Sequence, residues 1–172
     1  MIFDRAIVRN AKTDNWSVYE HCQDVLVAAE HKDVLSVLSE AEDRARRDDL
    51  YAVGYVAYEA SHAFDRKFPK RDIDLPLVCF ALFAAETSIA SLTDLYSPGE
   101  HMSDDWHLVE SRESFESKVD RIKSMIGAGE VYQINLTSRM SNEGQVTLAD
   151  FVRWSQDMPH AVFMSGPEVT VC

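Results

Sequence analysis

Residues 111–140 constrain the fold of this chain more tightly than any other stretch. Phe115, Val119, Ile122 and Ile126 recur at three- and four-residue steps, which places them on one face of a helix. Ser111 precedes that run as an N-cap, and Glu113 and Glu116 suit the positive N-terminal end. Gly127 and Gly129 stop it. The period then falls to two over Val131–Met140. The even positions Tyr132, Ile134, Leu136, Ser138 and Met140 are mostly apolar, whereas Gln133, Asn135, Thr137 and Arg139 align four hydrogen-bonding side chains on the other face. The pattern predicts a helix, a glycine stop and a strand with one polar face. Such a face is either the wet side of an antiparallel sheet or the wall of a ligand cavity. Asn and Gln are depleted in strands, and a solvated strand face more often carries Lys, Glu and Thr, which favours the cavity slightly.

The rest of the chain alternates short apolar runs with helical periods. An apolar lead-in at 2–9 is followed by a polar turn at Asn10–Asn15. Val25-Leu26-Val27-Ala28-Ala29 reads as a buried strand. Val34, Leu38, Ala41 and Ala45 give an amphipathic helix ending near Asp48-Asp49. Tyr51–Ala60 is aromatic and β-branched, and Gly54 inside it signals a bulge or a close backbone approach. A loop or short helical excursion follows at 61–76, then a buried strand at Leu77–Ala84. Residues 96–105 carry the strongest loop composition, Trp106–Glu110 suggests a strand, and Thr147–Met158 a second amphipathic helix. Ala161–Met164 and Val169–Cys172 read as strands around a Gly166-Pro167 turn. The chain therefore ends inside an apparent strand, and the expectation is of a sequence cut short. There is no internal repeat.

Composition excludes several functions. The formal net charge is −12, and the basic stretches at 44–47 and 66–71 are interleaved with acids, so no phosphate-neutralising surface is formed. No apolar run approaches the roughly 20 residues that span a bilayer, and the start lacks the features of a signal peptide, so the cytoplasm is the default location. Cys22, Cys79 and Cys172 are too scattered for a disulfide framework or a zinc site, and the histidines show no ligand spacing. No metal site is expected from this segment by itself.

The run from Lys118 to Arg139, KVDRIKSMIGAGEVYQINLTSR, resembles the chorismate-binding enzymes, in the branch that contains component I of aminodeoxychorismate synthase (para-aminobenzoate synthase) and of anthranilate synthase. Gly54–Asp65 (GYVAYEASHAFD) and Leu75–Phe83 (LPLVCFALF) are similar to two further segments of component I proteins in the folate branch. In order and spacing the resemblance covers essentially the whole chain. It implies an α+β fold of mostly antiparallel sheet with packed helices, incomplete at its C-terminal edge. On this reading residues 1–95 form an N-terminal subdomain, 96–105 a loop, and 106–172 the start of the chorismate-binding region.

The resemblance also implies a chemistry. Relatives that form isochorismate or salicylate activate water with a lysine on this strand; the amine-transferring branch has glutamine, and Gln133 occupies that position. Gln133 is thus the candidate catalytic residue, positioning ammonia as the nucleophile, while Asn135, Thr137 and Arg139 share its face without an assigned role. The intact enzyme of this kind uses Mg2+ and ammonia from a glutamine amidotransferase subunit to aminate chorismate. The family's magnesium-binding glutamates, catalytic histidine and carboxylate-binding arginine belong to downstream segments that these residues do not contain. The 172 residues are accordingly expected to be an N-terminal portion without bound metal, inactive alone and inclined to self-associate. The leucine-leucine-glutamate-serine signature of tryptophan-inhibited anthranilate synthases is absent from the start. Two alternatives stand beside the folate reading: an anthranilate synthase component I portion, or a non-catalytic module that binds a ligand or partner.

Overall fold

A computed structural model describes residues 3–96, 105–167 and 169–172. The strands and helices, in chain order, are β1 (Arg5–Arg9), β2 (Trp16–Glu20), β3 (Asp24–Ala28), α1 (Val34–Arg47), β4 (Tyr51–Val56), α2 (Ser61–Phe64), β5 (Val78–Phe83), β6 (Thr87–Ile89), β7 (His107–Leu108), α3 (Arg112–Gly127), β8 (Met140–Ser141), α4 (Leu148–Ser155), β9 (Val162–Ser165) and β10 (Thr170–Val171). The fold is α+β, and every strand pairing among these residues is antiparallel. The chain divides into two compact units, one made of residues 1–100 with 148–172, the other of residues 101–147.

The first unit is a sandwich of two sheets. One has the order β10-β9-β1-β2-β6 and the other β3-β5-β4. Alternation along the strands decides which side chains meet between them. Ala6, Tyr19 and Met164 point inward from the larger sheet, Cys79, Ala81 and Phe83 from the smaller, and Phe3 joins them. The Tyr19 and Phe83 rings approach to 5.7 Å between centroids across this layer. The opposite faces are covered by helices. Ala41 of α1 packs with Leu26 and Leu82, and Val34 with Ala28 and Val78. On the other side Phe151 of α4 lies against Trp16 at 5.7 Å and Phe163 at 5.2 Å. The unit is therefore layered helix, sheet, sheet, helix.

Several expectations meet their elements directly: the 34–47 helix, the strands at 51–56 and 78–83, a one-turn helix at 61–64, and the 162–171 hairpin. Gly54 proves to be a close approach, since a Cβ placed there would sit 2.0 Å from the Cys79 carbonyl oxygen. The loop expected at 96–105 lies almost wholly outside the described residues. β2 has no counterpart in the sequence reading. Trp16 and Val18 face α4 while Tyr19 faces the sandwich interior, so both faces are buried and no period of two marks the strand.

The second unit has a different character: among its described residues, none is buried. α3 starts where Ser111 accepts a hydrogen bond from the Ser114 N–H at 3.2 Å. It ends in a Schellman turn. Gly129 takes φ = +75°, its N–H donates to Ile126 O, and Glu130 N–H donates to Met125 O, both at 3.0 Å. The strand expected over 131–140 requires correction. Only its last residue enters a ladder, β8 pairing with β7, preceded by a bond from Val109 N–H to Arg139 O. Residues 131–139 are irregular, and Tyr132 and Ile134 of the supposed core face are 93% and 39% exposed. Alternation specifies two faces but supplies no neighbour, and a strand exists only when a second backbone satisfies its N–H and C=O groups.

Candidate functional site

Gln133 leaves the Schellman turn four residues after Gly129, on exposed irregular backbone. Its Nε2 donates to Asn135 Oδ1 at 3.3 Å, so these two side chains lie on the same side of the chain. Thr137 and Arg139 are exposed as well, and no hydrogen bond or ion pair of their side chains is formed among the described residues. The structure thus brings Gln133 and Asn135 together and leaves Thr137 and Arg139 pointing to solvent. The Gln133 amide is neutral, with one accepting oxygen and two donating N–H groups. It can orient a nucleophile or a substrate hydroxyl, but it cannot accept a proton at neutral pH as a lysine of lowered pKa can.

One residue that sequence reasoning missed organises this segment. Glu110, just before the α3 N-cap, accepts from Ser114 Oγ at 2.6 Å and from Ser138 Oγ at 3.1 Å, and pairs with the Lys118 ammonium. It ties the start of α3 to the far end of the 131–139 segment. The hydrogen bond from Lys118 comes first among the causes that hold its carboxyl below the usual range, followed by that from Ser114. The signal was present: Glu110, Ser114 and Lys118 follow one another at steps of four, a spacing that puts all three on one helical face.

Elsewhere, among the described residues, the first unit carries two clefts of interest. One, of about 110 Å³, is lined by Glu30, His31, Lys70 and Arg71 among others, and the second by Arg5, Glu20, His21 and Pro167 among others. Neither contains Gln133. Across the described residues, no three His, Cys, Asp or Glu side chains come together as metal ligands. A magnesium ion needs an octahedral set of oxygens, which these residues do not assemble. No helix among the described residues is long and apolar enough to cross a membrane.

A family model described as chorismate binding enzyme matches residues 4–170. The chain belongs to this family. No curated protein and no solved structure matches it. The match runs through both compact units of the chorismate-binding chain, from β1 to β10, and includes Gln133 and its neighbours. It supports chorismate as the ligand of the family fold to which these elements belong.

Proposed function

We propose that this chain is the front portion of an amine-transferring chorismate enzyme of the aminodeoxychorismate synthase component I type, serving para-aminobenzoate and folate synthesis. The observation that carries the reading is Gln133, an amide at the position where water-using relatives carry lysine. Water must lose a proton to attack, which calls for a base. Ammonia is already nucleophilic and needs an acceptor that fixes its direction. An exposed glutamine side chain beside Asn135 supplies such polar atoms without a charge. In this reading ammonia comes from a glutamine amidotransferase partner, adds to chorismate and expels a hydroxyl. Magnesium would be held by the glutamates of the family's downstream segments. The described residues give one polar wall of the site.

The test begins with the coding DNA beyond the Cys172 codon. A frame that continues supports an enzyme portion, and its product is then incubated with chorismate, Mg2+ and ammonium. Formation of 4-amino-4-deoxychorismate bears the proposal out. Anthranilate as the product assigns the chain to the tryptophan branch, isochorismate removes amination altogether, and a stop codon at this point favours a binding module.

A further inference from the structure

The segment that carries Gln133 is held at its two ends. Among the described residues, 131–138 make no backbone hydrogen bond, and the contact from Gln133 to Asn135 lies within the segment itself. At one end Glu130 N–H donates to Met125 O at 3.0 Å, in the last turn of α3. At the other, Val109 N–H donates to Arg139 O at 2.9 Å and Ser138 Oγ donates to Glu110 Oε2 at 3.1 Å, just before α3 begins. The segment therefore returns from the end of α3 to its start. A helix of 16 residues is about 24 Å long, and the stretch from Glu130 to Arg139 reaches about 30 Å at most. Little slack remains, so a change at either fastening is passed along to Gln133.

We propose that Glu110 is a positioning residue, which through Ser138 keeps the 131–139 segment taut and so sets where the Gln133 amide meets the attacking nucleophile. The inference rests on the role proposed above for Gln133. The Glu110 side chain is only 14% exposed, so water has limited access to compete for it. Its Oε1 accepts from Ser114 Oγ at 2.6 Å and pairs with the Lys118 ammonium, both on α3, while Oε2 is left for Ser138. Two partners on a rigid helix fix the carboxylate, and an ionised acceptor makes the stronger kind of hydrogen bond to the Ser138 hydroxyl. Such placement matters to a residue whose task is orientation, because a displacement of about 1 Å can cost about 100-fold in rate.

The experiment is a double-mutant cycle in the full-length enzyme, read from the frame that continues past Cys172 and assayed with chorismate, Mg2+ and ammonium. Ser138→Ala should lower kcat/KM for ammonium about tenfold, while the KM for chorismate stays within about twofold. Ser138→Thr keeps the hydroxyl and should restore the rate. A loss of folded enzyme would instead lower kcat and leave both KM values unchanged. In a Gln133→Ala background, Ser138→Ala should have no further effect, because it acts through Gln133. Glu110→Ala should repeat the Ser138→Ala loss; if it unfolds, Ser138→Ala decides. Losses that multiply in the double variant, no rescue by threonine, or a change in chorismate KM alone would overturn the positioning role and leave amination standing. Full ammonia turnover in Gln133→Ala would remove the role of Gln133, and this inference with it. If water proves to be the nucleophile, the same cycle measured on isochorismate formation decides. A stop codon after Cys172 leaves no reaction to position for and overturns the inference.

Discussion

Gly54 and Cys79 sit so close that a single methyl group on Gly54 would overlap the Cys79 carbonyl oxygen at 2.0 Å and the Phe80 Cα at 2.6 Å. The contact joins the middle of β4 to β5, and backbone atoms there have no flexible end that can yield. Gly54→Ala is expected to cost about 1–3 kcal/mol, the range for overpacking. Denaturant unfolding of the purified chain measures it, and a midpoint equal to the wild type's would mean that β4 and β5 lie further apart.

Arg9 fastens the end of α4 to the larger sheet. Its Nη1 donates to the carbonyls of Ser155, Gln156 and Met158 at 2.9, 2.8 and 3.1 Å, while Nη2 reaches Asp14 at 2.6 Å. The guanidinium also lies 5.3 Å from the Trp16 ring centroid. A cation at a helix C-terminus satisfies carbonyls that have no partner within the helix. Arg9→Ala should lower stability by about 1–3 kcal/mol, since the hydrogen bonds of a charged group are lost. Arg9→Lys should recover only part of this because an ammonium lacks the planar fork. Asp14 is 80% exposed, so Asp14→Ala should change the melting temperature far less than Arg9→Ala.

Glu110 gives the second unit a pH dependence of known sign. Its carboxyl is held below the ordinary range, first by Lys118 and then by Ser114. A depressed folded-state pKa contributes stability above the unfolded value, near 4.3, and that contribution disappears as pH falls through the lower folded value. Acid should therefore loosen the junction between Ser138 and the start of α3. Amide exchange at Val109, whose N–H bonds Arg139 O at 2.9 Å, is the readout. Glu110→Gln should flatten its acid dependence; an unchanged acid profile in the variant would show that another group is responsible.

Gln133 separates a site role from a structural one unusually cleanly. It is exposed and its side chain makes a single bond among the described residues, a 3.3 Å contact to Asn135, so Gln133→Ala should shift stability by no more than about 0.5 kcal/mol. In the assayed enzyme the same change should reduce ammonia-dependent turnover, and Gln133→Lys should divert product towards hydroxylation. Retained amination in both variants would remove Gln133 from the reaction.

The uncovered stripe of α3 predicts association. Phe115 and Ile126 are 39% and 42% exposed, and Tyr132 is 93% exposed nearby in sequence. Sedimentation should show concentration-dependent oligomers, and Phe115→Ser with Ile126→Ser should reduce them without lowering the unfolding midpoint of the first unit.

Helix α3, its glycine stop and helix α1 were legible because their signals are local. A 3.6-residue apolar period, a capping serine and a left-handed glycine act within a few residues of themselves. The chorismate family, too, was readable from a motif. Tertiary structure alone decided that β9 returns to the edge of β1, with Ala6 opposite Met164, and that two sheets enclose Tyr19 and Phe83. It also decided that residues 131–139 form no ladder and that Glu110 reaches Ser138. The physical reason is common to all four. Periodicity fixes which face a residue occupies, whereas pairing and burial depend on which distant backbone arrives opposite, and the cost of closing that loop is written nowhere in the segment itself.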